Sequence, residues 1–69
     1  MIMEAYDRIA PHTINTPLLS SHSLNKIAQR KIWVKAECLQ HTGSFKYRGG
    51  WSAISALSAD EKSRGVITF

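Results

Sequence analysis

The chain has a single cysteine, Cys38, so no internal disulfide can staple it. Its three histidines, His12, His22 and His41, lie far apart and share no ligand spacing, which leaves no metal set and makes hydrogen-bonded or solvated histidine the expectation. No run approaches the ~18 apolar residues of a membrane-spanning helix. The opening MIMEAYDRIAPH carries Glu4 and Asp7 and does not read as a secretory leader. With the lone cysteine, that predicts a cytoplasmic protein. Acidic residues are few, five against nine Lys and Arg, for a formal charge of +4. The basic residues are scattered, with Arg30, Lys31 and Lys35 the densest patch. Nucleic-acid readers concentrate such charge on one face, often with aromatics. No nucleic-acid or membrane partner is therefore expected.

Little is available to build a core. A chain of 69 residues is one domain or less. Below roughly 70–80 residues a lone core rarely supplies more than ~3–5 kcal/mol without staples. The last residues, Gly65-Val66-Ile67-Thr68-Phe69, read as a glycine followed by a β-favouring apolar run, the beginning of a buried strand. Residues 1–69 are thus expected to be a partial, N-terminal segment of a larger domain.

What is present reads as alternating elements. Ile2, Ala5, Tyr6 and Ile9 have helical spacing, and Pro11 closes that helix. HTINTPLLSSHS is a connector, since the residue before proline is pushed out of the helical region. Ser21 or Ser23 caps a second helix with Leu24, Ile27 and Ala28 on its apolar face. In RKIWVKAECL, Ile32, Val34 and Ala36 alternate with Trp33, Lys35 and Glu37, as in a strand with one buried face. QHTGS ends the strand, and Thr42 or Ser44 caps a helix from Phe45 to about Leu57. Gly49 and Gly50 inside it are costly, about 1 kcal/mol each against alanine, and suggest a close approach to the backbone. SADEKSRG is a polar loop or helix end with Gly65 as its stop, and VITF starts another strand. The order helix, helix, strand, helix, strand predicts an α/β fold with some parallel pairing.

Lys46 stands at the first turn of the third helix, where a partial positive charge already disfavours a cation. Phe45 and the small helix faces predict burial, which disfavours the ammonium further. Both effects favour a neutral amine, the form that attacks an aldehyde. A lysine reaching out to water is the alternative. Cys38 reads as buried and inert, with no positive partner nearby in sequence. Trp33 and Trp51 read as packing residues.

The string ECLQHTGSFKYRGG resembles the cofactor-lysine segment of the serine/threonine dehydratase family, the fold-type II pyridoxal-phosphate enzymes that include threonine ammonia-lyase and serine racemase. The family pattern is Thr-Gly-Ser-Phe-Lys-x-Arg-Gly after a strand ending in Lys-x-Glu. Lys35, Glu37, Thr42, Gly43, Ser44, Phe45, Lys46, Arg48 and Gly49 all match it. TPLLSSHSLN upstream and GVITF downstream also resemble family segments, so the likeness covers nearly the whole chain. It implies the N-terminal part of a tryptophan synthase β-like fold, with two open twisted sheets in the full protein. It implies pyridoxal 5′-phosphate held by Lys46 as an internal aldimine, with Phe45 packed beside the cofactor. The freed Lys46 amine would take the Cα proton of a small hydroxy amino acid, and loss of the β-hydroxyl would end in a 2-oxo acid and ammonia. The family's asparagine loop, glycine-rich phosphate cradle and the serine near the pyridine nitrogen are expected beyond Phe69, and a homo-oligomer for the full-length parent. Arg48 is expected to be structural, pairing with an acidic residue or carbonyls. Ser21 and Thr42 match positions that touch an activating nucleotide in serine racemases. His22, Ser23 and His41 depart from that pattern, and histidine is a weaker phosphate partner than the lysine that His41 replaces. Serine racemase and 3-hydroxyaspartate ammonia-lyase are the alternatives within this class. Outside it, the chain would be a non-catalytic remnant or a small basic interaction module.

Overall fold

The computed structural model describes all 69 residues. The chain is α/β, with helices and one two-stranded antiparallel sheet. Helix α1 spans Ile2–Ile9 and runs into a 3-10 turn at Ala10–His12. Strand β1 is Leu18–Ser20, helix α2 is His22–Ala28, and strand β2 is Trp33–Lys35. Two 3-10 turns, Glu37–Leu39 and His41–Gly43, lead to α3 at Lys46–Ser55 and α4 at Ala59–Ser63.

Local chemistry accounts for the helix ends. Ser21 caps α2, its hydroxyl accepting from Leu24 N–H at 3.3 Å. Gln29 closes that helix in the left-handed conformation, φ 54°. The Asn25 side chain then steers the chain into β2, accepting from Ile32 N–H at 2.8 Å and donating to Ser20 Oγ at 3.2 Å. Ser58 and Glu61 form a reciprocal capping box that starts α4. Where a polar loop or helix end is expected, Ser-x-x-Glu, the signature of such a start, opens a short helix.

The sheet differs from expectation in two ways. Leu18, Leu19 and Ser20 pair with Lys35, Val34 and Trp33, so the connector predicted there contains a strand. The pairing is antiparallel, with α2 inside the connection, and the parallel pairing expected of strands on either side of α3 is not seen. Ala36 N–H donates to Pro17 C=O at 2.9 Å and carries the ladder one step further. VITF forms no strand; Val66, Ile67 and Phe69 are exposed. A strand is defined by its partner, and no strand pairs with these residues; Val66 and Ile67 face the side of α3 at Gly50, Ala53 and Ile54 instead.

Helix α1 lies against α3. Arg8 donates from Nε to Ser55 Oγ at 3.1 Å and from Nη2 to Ser52 Oγ at 3.2 Å. Ile2, Tyr6, Ile9, Gly49 and Ser52 line a groove of about 320 Å³ between the two helices. The molecule is elongated, with a radius of gyration of 16.2 Å and extents of 52 × 27 × 17 Å. A compact domain of this length would have about 11 Å. Only four residues are buried: Ile9, Ala36, Thr16 and Gln40. Two of the four are polar. The best-packed place in the chain is a hydrogen-bonded knot, and it lies beside the turns that lead to Lys46.

Candidate active site

The knot begins with Glu37, just after β2. Arg48, in the first turn of α3, grips its carboxylate with a fork: Nε donates to Oε2 at 2.8 Å and Nη2 to Oε1 at 3.0 Å. Thr16 Oγ1 donates to Oε1 as well. The Glu37 side chain is 15% exposed and that of Arg48 25%, so the pair is largely shielded from water. The Arg48 hydrogen bonds, followed by that from Thr16, lower the Glu37 pKa to about 2 from an ordinary 4.5. The same pairing raises that of Arg48. Arg48 Nη2 also donates to Ile14 C=O at 3.2 Å. The sequence reading assigned Arg48 an acidic partner or carbonyls, and it has both.

Gln40 works like a short piece of strand. Its Oε1 accepts from Ile14 N–H and its Nε2 donates to Ile14 C=O, both at 2.9 Å. Its oxygen also accepts from His41 N–H at 3.1 Å. Lys35 Nζ donates to Thr16 C=O at 3.0 Å. Thr16, Gln40 and the Ile14 backbone were not singled out in the sequence. No local pattern announces a glutamine whose partner lies 26 residues earlier.

The loop between Gln40 and α3 turns sharply. Thr42 and Gly43 both have left-handed backbones, φ 65° and 70°. That conformation is easy for glycine and uncommon for a β-branched residue. Gly43 N–H donates to Gln40 C=O at 2.8 Å. Ser44 Oγ accepts from Lys46 N–H at 3.2 Å, a local turn bond just ahead of α3; the N-cap position itself is Phe45, with no side-chain cap, so the cap expected of Thr42 or Ser44 does not form.

Lys46 opens α3 as expected, but its side chain is exposed, and so is that of Phe45 at 68%. The burial predicted around them is absent, because no residue of the chain covers this end of the helix. Lys46 Nζ has no hydrogen-bond or ion-pair partner, whereas the other two cations of the motif, Lys35 and Arg48, are both tied down. Gly49 and Gly50 meet nothing within 4 Å of where a Cβ would stand, so the close approach read from them does not occur in this chain. Cys38 is exposed rather than buried. Ser21 and Thr42 sit at different helix entries, Ser21 engaged in its cap and Thr42 in the turn, and no hydrogen bond joins them. Trp51 packs between His12, at 4.6 Å between ring centres, and Tyr47, at 6.0 Å. Trp33 is 59% exposed, so only Trp51 fills the packing role expected of both.

A family model described as pyridoxal-phosphate dependent enzyme matches residues 9–69. Serine racemase of Arabidopsis thaliana is 48% identical over 67 residues, which cover 97% of this chain and 20% of that protein. A putative threonine dehydratase of Sinorhizobium fredii is 44% identical, and L-threo-3-hydroxyaspartate ammonia-lyase of Saccharomyces cerevisiae 40%, over similar lengths. The solved structure of maize serine racemase superimposes with a TM-score of 0.84 at 42% identity, covering 93% of this chain and 20% of that one. The chain therefore spans about a fifth of the length of the curated relatives it matches. With a free amine at the head of α3 and a family match across nine-tenths of its length, the chain belongs to the pyridoxal-phosphate dependent enzymes.

Proposed function

We propose that the chain supplies the cofactor lysine of an ammonia-lyase that converts serine, threonine or a related hydroxy amino acid into a 2-oxo acid. One observation carries the reading. Among the cations of the motif, only Lys46 keeps its charged group unpaired, while Lys35, Tyr47 and Arg48 around it spend their polar ends on backbone carbonyls or on Glu37. An exposed primary amine at the start of α3, next in sequence to an exposed aromatic residue, fits a planar aldehyde cofactor. Lys46 would hold pyridoxal 5′-phosphate covalently through Nζ, with Phe45 against it. The bound cofactor would supply an electron sink for the bonds at the substrate Cα. Lys46 Nζ, once released, would accept the Cα proton, since an amine with no other partner is free to swing. Ser44 and the turn at Thr42–Gly43 would set where that amine starts. A nucleotide contact at Ser21 and Thr42 is part of the same reading, as are a homo-oligomer and, on the unpaired Cys38, a cytoplasmic setting. No helix is long and apolar enough to cross a membrane.

Racemisation is the second reading, favoured by the likeness to serine racemases. It shares Lys46 as anchor and base. The test uses the protein as its gene encodes it, loaded with the cofactor. Lys46→Ala should abolish the cofactor's Schiff-base absorbance and the lysine label left by borohydride; persistence of either refutes the anchor. Incubation with L-serine then separates the two readings: pyruvate supports the lyase, D-serine without pyruvate the racemase.

A further inference from the structure

We propose that the backbone from His12 to Thr16 is a splint that fixes where the Lys46 backbone, and with it the root of its side chain, stands, and that Glu37 is the positioning residue that locks it. The proposal rests on Lys46 being the cofactor anchor. Its basis is a convergence of side chains from both sides of the lysine loop on the same five residues. From before the loop, Lys35 Nζ reaches Thr16 C=O, Glu37 accepts from Thr16 Oγ1, and Gln40 pairs with both backbone groups of Ile14. From after it, Tyr47 Oη donates to His12 C=O at 3.0 Å and Arg48 donates to Ile14 C=O. Tyr47 and Arg48 are the two residues that follow Lys46.

The loop has little else to hold it. It contains two left-handed residues, and its local ties are short-range: Gly43 N–H to Gln40 C=O, His41 N–H to Gln40 Oε1, Lys46 N–H to Ser44 Oγ and Tyr47 N–H to Ser44 C=O. Lys46 contributes no tether through its own side chain. The point from which its amine extends is therefore set by where the first turn of α3 is pinned. The pin is the fork from Arg48 to Glu37, the only carboxylate in the cluster. Thr16 and Gln40, two of the four buried residues, close the knot around it.

Replacing Glu37 by glutamine keeps the shape, removes the charge and cannot accept both arms of the fork. A shift of ~1 Å in a reacting group can cost about 100-fold in rate. The test compares the natural protein with its Glu37→Gln form, both loaded with pyridoxal 5′-phosphate. Borohydride labelling located by mass spectrometry reports the anchor, circular dichroism of the cofactor band reports how rigidly it is oriented, and L-serine turnover reports kcat and KM. Glu37→Gln should still label at Lys46 to the extent of the wild type. It should lose most of the cofactor dichroism and lower kcat by about 100-fold with KM little changed. Wild-type dichroism and kcat in Glu37→Gln overturn the proposal alone. A wild-type protein that labels elsewhere overturns the anchor reading and this proposal with it. Should Glu37→Gln fail to fold, Thr16→Val decides, because it removes one charge-assisted hydrogen bond from the same carboxylate. It should lower kcat by about tenfold and weaken the dichroism; unchanged values overturn the proposal.

Discussion

Glu37 accepts three hydrogen bonds from two side chains, and that shapes how the protein should respond to acid. Its folded pKa of about 2 lies below the ordinary 4.5. The carboxylate therefore stabilises the fold fully above 4.5, and the contribution is lost as pH falls toward 2. In the natural protein, melting temperatures of wild type and Glu37→Gln should differ most near neutral pH and converge across that window. A constant gap down to pH 2 would contradict the pairing. Lys46 is the opposite kind of residue, since it is unpaired and contributes nothing visible to stability. Lys46→Ala should leave the melting temperature of the cofactor-free protein within about a degree or two, as expected for a surface change of up to ~0.5 kcal/mol. The sequence motif marked Glu37, Lys46 and Arg48 together. It did not separate the two that build from the one left free, because that distinction needs the distances between them.

At the scale of elements, the turns are more demanding than the helices. Gly43 holds φ 70° with Cys38 C=O 3.7 Å from where a Cβ would stand, so Gly43→Ala should cost about 1–2 kcal/mol through its backbone conformation. Gly49 lies inside α3 with open space around it, so in the 69-residue polypeptide Gly49→Ala should raise helicity, by about 1 kcal/mol in propensity. Thermal melting of the natural protein checks the first and far-ultraviolet circular dichroism of the polypeptide the second, where a fall in helicity for Gly49→Ala would show a constraint at that position. Helices α1, α2 and α3 were legible because their periodicity is local, with the Ser21 cap marking α2 as well. Strand β1 was not, because Leu18, Leu19 and Ser20 follow a proline and precede serines that favour turns. Its ladder is supplied by residues 33–35, and pairing across 15 positions leaves no local mark.

For the whole molecule, the decisive fact is how little it buries. Two apolar residues of 69 lie in the interior, no side chain is fully enclosed, and Leu18, Leu19, Trp33, Val34, Phe45 and Ile67 all face water. Conformational entropy of about 1–2 kcal/mol per ordered residue has no apolar burial of matching size to oppose it. Expressed by itself, the 69-residue polypeptide should melt without a cooperative transition and bind the dye anilinonaphthalene sulfonate. A sharp calorimetric peak would contradict this.

The sequence by itself determined helices α1, α2 and α3, the α/β character, and a family pattern that singles out Lys46. These are local properties, carried by periodicity, capping residues and an eight-position string. Only the tertiary structure decided that the sheet is antiparallel, that Phe45 and Lys46 are uncovered, and that Thr16 and Gln40 join Glu37 and Arg48 in one knot. The physical reason is range. Ile14 and Gln40, or Thr16 and Glu37, meet only after the chain has folded back through β1, α2 and β2. Which hydrogen bonds form there depends on distances of a few tenths of an ångström that no residue type specifies.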